Sequence, residues 1–125
     1  MWAMAFDTTA VFGRLIRSSS DPTEVLARFD TAQQRVTASV EVAPIVDMRR
    51  AGGWLWILQV SSRADVRSPG FSPLGNAAEL SWLDPVTLDR QGSLSLNATG
   101  LMAIVHDTMW LGTTAGILRV GLHGP

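Results

Sequence analysis

Two stretches decide how this sequence folds: Arg28–Val42, RFDTAQQRVTASVEV, and Trp82–Leu96, WLDPVTLDRQGSLSL. Each runs from an apolar segment into an Asp, through a polar turn, and out into an alternating apolar and polar segment. Asp30 and Asp84 lie 54 residues apart. At the same offset Leu26 matches Leu80, Phe29 matches Leu83, Ser39 matches Ser93, Val40 matches Leu94 and Val42 matches Leu96. An Asp that opens a turn bonds the backbone of its own turn, and Pro85 presets φ for the turn in the second copy. SVEV and SLSL then alternate with period two, which turns one face inward. Each stretch reads as strand, turn, strand.

The tryptophans suggest the same period. Trp2, Trp56 and Trp110 are spaced 54 and 54, so a repeated unit is expected. Working outward, GGWLWILQV and DTMWLGTT read as strands opened by tight turns at Gly52-Gly53 and His106-Asp107. PIVDMRRA and GLMAIVHD supply a further strand before each turn. No segment sustains a helical period. The expected unit is four short antiparallel strands, A (PIVDMRRA), B (WLWILQV), C (AELSWLD) and D (GSLSLN). A four-stranded sheet apolar on both faces must be covered on both sides, which the next unit can do. The fold class is therefore all-β, with β-propeller blades at a 54-residue repeat in an incomplete ring. Residues 1–43 are expected to form a partial blade with strands B to D, 44–99 a full blade, and 100–122 a partial blade with strands A to C.

The units resemble propeller repeats of the YVTN and quinoprotein (PQQ-like) dehydrogenase-like superfamily, through Trp56, the Leu83–Thr87 hairpin and the alternation at Leu94–Leu96. TMWLGTTAGILRV is also similar to the LWIGTxxGLxR repeat of sensor-type propellers, through Trp110, Gly112, Thr113, Gly116, Leu118 and Arg119. The resemblance implies a fold and not an activity, because the matching residues are those that build blades. Rings close with roughly 4 to 8 blades, and 125 residues supply only about 2.3 units of 54. The chain is therefore expected to belong to a longer propeller or to self-associate.

Composition narrows the function classes. The net charge is −1, with 10 basic and 11 acidic residues, so no nucleic-acid surface is expected. Cysteine is absent, which removes disulfides and thiolate zinc sites. No apolar run approaches the roughly 18 residues of a membrane span, and the N-terminus is a poor signal peptide, with no positive charge before its apolar part. The compartment is not legible. No GxSxG, GxGxxG, P-loop or DxD calcium loop occurs, and no cofactor is called for.

Candidate residues carry plain readings beside functional ones. Tryptophans repeated once per unit suit packing between blades, or an aromatic ligand cage. Trp54 and Trp56 share a strand face. His106 sits at an expected turn and His123 in the tail, and a metal site needs three or four converging ligands. Asn97-Ala98-Thr99 fits the glycosylation triplet, which matters only in a secreted eukaryotic setting. The informative feature is loop length. B and C are joined by DTTAVFGRLIRSSSDPTE in the first unit and SSRADVRSPGFSPLGNAAE in the second, against TTAG in the third. Connections longer than 2–6 residues tend to serve function or to be mobile. Residues 8–23 and 61–78 are therefore the expected binding face, with Arg14, Arg17, Arg63 and Arg67 as candidates for an anion, since Arg offers a planar fork to carboxylate or phosphate. The expected function is a non-catalytic binding or scaffold module for a protein or small ligand. The alternative is a fragment or subunit of a quinoprotein-like oxidoreductase.

Overall fold

The computed structural model describes residues 2–16, 24–60 and 76–122. Ten strands account for most of them: β1 (Trp2–Phe6), β2 (Ala10–Ile16), β3 (Glu24–Asp30), β4 (Arg35–Val42), β5 (Ile45–Ala51), β6 (Trp54–Val60), β7 (Asn76–Leu83), β8 (Arg90–Val105), β9 (Thr108–Thr113) and β10 (Gly116–Gly121). Among the described residues there is no helix, and hence none long and apolar enough to cross a membrane. Every pairing is between neighbours in sequence and antiparallel, giving the orders β1-β2-β3-β4 and β10-β9-β8-β7-β6-β5.

The six-stranded order contains a change of partner. Residues 90–98 of β8 pair with β7, and residues 98–105 pair with β9, with a register shift between Ala98 and Met102. The chain therefore builds three antiparallel meanders: β1 to β4, β5 to the first half of β8, and the second half of β8 to β10. Sheets apolar on both faces must stack, and these do. Phe12 and Leu26 of the first meander pack with Ile45, Met48, Leu55, Ile57 and Leu83 of the second. On the opposite face of the second meander, Trp56, Leu58 and Leu80 pack with Met102, Met109, Leu111 and Val120 of the third. The alternation along β6 is the cause: Leu55 and Ile57 point one way, Trp56 and Leu58 the other, and all four are fully buried. The first strands of the meanders also lie against one another, β1 beside β5 and β5 beside β8.

Turns recur at the expected offset. Gln34 and Leu88 both have positive φ, 55° and 65°, as do Gly52 and His106, at 60° and 57°. Each pair is 54 residues apart. Asp30 Oδ1 accepts from the Gln33 N–H at 2.7 Å, and Asp84 Oδ1 accepts from the N–H of Val86 at 2.8 Å and of Thr87 at 3.1 Å. Those bonds hold both carboxyls below the usual carboxylate range, led by Gln33 for Asp30 and by Val86 for Asp84.

The first unit departs from the sequence reading in two ways. Residues 10–16, read as part of a loop over 8–23, form β2, so the unit has four strands and not three. Trp2 lies on β1, opposite Arg14 of β2, and does not occupy the place of Trp56. That place belongs to Phe12, because Phe12 faces Arg28 across β2 and β3 as Trp56 faces Trp82 across β6 and β7. Trp56 and Trp110 do correspond: Trp56 lies opposite Arg49, and Trp110 opposite Ala103, 54 residues on in each case.

Candidate functional site

Charged side chains where neighbouring sheets meet form two matching clamps. Glu24, at the start of β3 and almost wholly buried, accepts from the Ile45 N–H at 2.8 Å. Arg14 on β2 donates to the Ile45 carbonyl and lies 3.4 Å from Glu24 Oε2. One residue pair of the first meander thus grips both polar groups of one residue in the second. The second junction repeats the device. Asp47 Oδ2 accepts from the Met102 N–H at 3.0 Å, Oδ1 accepts from the Met48 N–H at 2.9 Å, and Arg49 Nη2 donates to the Met102 carbonyl at 3.3 Å. Arg49 Nε lies 3.5 Å from Asp47 Oδ1. A buried carboxylate costs free energy unless it is paired and bonded, and both are.

At the other end of the first junction Arg50 Nε donates to Asp7 Oδ2 at 2.9 Å. Burial pushes the Asp7 carboxyl up, but bonds from the Thr9 N–H and hydroxyl, the Ala10 N–H and Arg50 outweigh it and leave the group below its ordinary value. Beside the first junction, Gln59 donates to the Ala43 carbonyl at 2.9 Å and accepts from Arg90 at 3.1 Å, while Arg90 pairs with Glu79 at 2.5 Å.

Of the four arginines expected on a ligand face, Arg14 lies in strand β2, with its guanidinium in the first clamp. Arg17, Arg63 and Arg67 lie outside the described residues, as does most of the loop face itself, and so does His123. His106 is the left-handed residue of the β8–β9 turn. Among the described residues no group of three His, Asp or Glu side chains could hold a metal ion. Sequence reasoning missed Glu24, Asp47 and Arg49. The available signal was charge on apolar strands: a buried polar residue is more informative than a buried apolar one.

A groove of about 320 Å³ opens beside β10. It is lined by Leu94, Ser95 and Leu96 of β8, by Thr113 and Ala115, and by Gly116, Ile117 and Leu118 of β10. β10 is the last strand of its order, so the groove, which reaches Gly116–Leu118 of that strand, adjoins a sheet edge whose outward N–H and C=O groups lack a neighbouring strand among the described residues. An edge beside apolar side chains suits an added extended segment: main-chain bonds supply affinity and alternate side chains enter the groove.

Compared with family models and with curated proteins, the chain matches none.

Proposed function

We propose that this chain is a non-catalytic binding or scaffold module of the propeller type, and that the groove along β10 receives an extended segment of another polypeptide. The observation that carries the reading is the pairing of apolar lining side chains, Leu94 and Leu96, with the edge of β10. A groove of this volume is at the small end for a small-molecule site, and it adjoins a strand edge, which favours polypeptide. The ionisable groups of Glu24, Arg14, Asp47 and Arg49 hold backbone of the adjoining meander, so they support stacking and not chemistry. The propeller-type part rests on face-to-face stacking of successive meanders and on turns that recur after 54 residues.

The test is selection of displayed random decapeptides on the 125-residue chain, followed by fluorescence anisotropy of the winners. Leu94→Lys places a charge in the groove lining and should weaken binding at least tenfold without altering the far-ultraviolet circular dichroism. Winners indifferent to Leu94→Lys would remove the groove from the proposal. The quinoprotein alternative is tested alongside by titrating pyrroloquinoline quinone with calcium. Quenching of tryptophan fluorescence together with dye-linked alcohol oxidation would replace the binding-module reading.

A further inference from the structure

We infer that two copies of this chain dock head to tail through their outer sheet faces and close a ring of six stacked sheets. The inference rests on the propeller-type stacking proposed above and adds its partner, a second copy.

Each meander has two unlike faces. On one, an aromatic residue of the second strand sits opposite a residue of the third: Phe12 and Arg28, then Trp56 and Trp82, then Trp110 and Arg119. In the second meander the two rings are in contact, with centroids 5.6 Å apart, and in the third Arg119 stands over the Trp110 ring at 5.9 Å. Phe12 and Trp56 are 0% exposed because the next meander covers them, whereas Trp110 is 38% exposed. The other face shows the converse. Leu55 and Leu83 of the second meander are sealed against the first. Val11 and Phe29 hold the same places on the first meander, as the register of β2 with β3 and of β6 with β7 shows, and both are only partly buried. Val36 opposite Phe29, at the rim of that face, is 50% exposed, and Phe6 opposite Val11 is 77% exposed.

The outer faces are therefore the two unlike halves of a contact that the chain already makes twice internally. The same half cannot be used by both partners, so the contact is heterologous, and a heterologous contact closes or propagates. Three meanders among the described residues of each copy give six for two copies, within the roughly 4 to 8 that close rings, while three copies give nine. The third meander offers three strands, and a face of three strands by five residues covers on the order of 300 Å². The two contacts of a closed pair bury about 1,200 Å² in all, the lower bound of a standard stable interface.

The chain has a mass of 13.5 kDa. Sedimentation velocity across a hundredfold range of concentration should show a single species of twice that mass. Phe29→Glu and Trp110→Glu, on opposite faces, should each shift the chain to monomer, with circular dichroism reporting retained folding. Mixing the two variants should restore a pair, weaker than the unaltered one, because one of its two contacts then has both faces intact. With no native cysteine, Val36→Cys and Trp110→Cys in separate chains should form a mixed disulfide under mild oxidation, giving a covalent readout if a Glu variant fails to fold. A monomer at every concentration would overturn the inference and leave the faces to some other polypeptide. Loss of the pair by Trp110→Glu but not by Phe29→Glu would mean a like-to-like contact and overturn it too. A mass that rises without limit would overturn closure. Decapeptide binding that survives Trp110→Glu separates this result from failure of the groove reading.

Discussion

Removing the Asp47 carboxylate should cost far more than removing the arginine beside it. Asp47 accepts two N–H groups, its neighbour Met48's at 2.9 Å and that of Met102, across the junction, at 3.0 Å. Solvent reaches 11% of its side chain, and Met48 and Met102 are themselves buried, so water cannot replace the lost acceptor. Hydrogen bonds to a charged partner contribute about 1.5–3 kcal/mol each. Asp47→Ala should therefore destabilise the fold by ~3–5 kcal/mol, a large share of the roughly 5–15 kcal/mol of a typical domain. Asp47→Asn keeps one oxygen but turns an NH2 toward the other N–H, so about half that loss is expected. Arg49 is 46% exposed along its side chain, and an ion pair that open contributes at most ~1 kcal/mol. Arg49→Gln is the control. The assay is urea unfolding followed by tryptophan fluorescence at one fixed protein concentration, because association shifts the midpoint. If Asp47→Ala and Arg49→Gln both cost under ~1 kcal/mol, the carboxylate does not hold the two meanders together and the clamp argument fails.

Four further outcomes are expected. Trp56→Ala should cost ~3–5 kcal/mol by urea unfolding, and Trp56→Phe much less, since Phe12 already serves the same position. Gly92 lies opposite Trp82, and a Cβ there would overlap the indole. Gly92→Val should cost ~1–3 kcal/mol and shift the near-ultraviolet dichroism of the Trp56–Trp82 pair; an unchanged spectrum would refute the contact. His106→Gly should raise stability by ~0.5–1 kcal/mol, because a left-handed residue with a side chain is strained and glycine is not; a lowered melting temperature would contradict this. Asp7, Asp30 and Asp84 have folded pKa values below their ordinary one. They therefore add stability above about pH 4 that is lost as pH falls through the folded values, so the urea midpoint should decline below pH 4, and less steeply in Asp84→Asn.

The turns were legible in the sequence because their chemistry is local. Asp30 and Asp84 bond N–H groups two or three residues away, and such bonds leave their mark at a fixed spacing. The C–D hairpin of the second unit and the turn at Gly52 were readable for the same reason. The tryptophan register was misleading at its first member because the period does not survive a loop. From Arg28 and Trp82 onward equivalent residues are 54 apart, but Phe12 and Trp56, before the loop, are only 44 apart. The stretch between β2 and β3 is residues 17–23, and that between β6 and β7 is 61–75. Loop length changes free energy slowly, so it drifts between copies while hairpin geometry does not. Trp2 thus fell on the period by coincidence of number. The clamps were hidden for the opposite reason. Their partners are 21 and 55 residues apart for the two N–H bonds, and no local pattern records a bond to a backbone group that distant.

Apolar stacking and the clamps do different work in fixing how the meanders meet. Apolar burial is non-directional, and a face built of Leu55, Ile57 and Leu83 would tolerate sliding by a strand residue at modest cost. A carboxylate aimed at one N–H and an arginine aimed at the carbonyl of the same residue do not tolerate it. A shift of one position along β5 would strand Glu24 without its donor inside the junction, and a buried carboxylate that loses its partner costs several kcal/mol. The two clamps therefore set register where the apolar contacts set only affinity. The same distinction bears on the outer faces. Trp110 offers Arg119 beside its ring, a charged group that the Trp56–Trp82 position lacks, so docking of a second copy there should be sensitive to salt. An association constant unchanged between 0.05 and 0.5 M sodium chloride, measured by sedimentation, would show that Arg119 takes no part in choosing what covers Trp110.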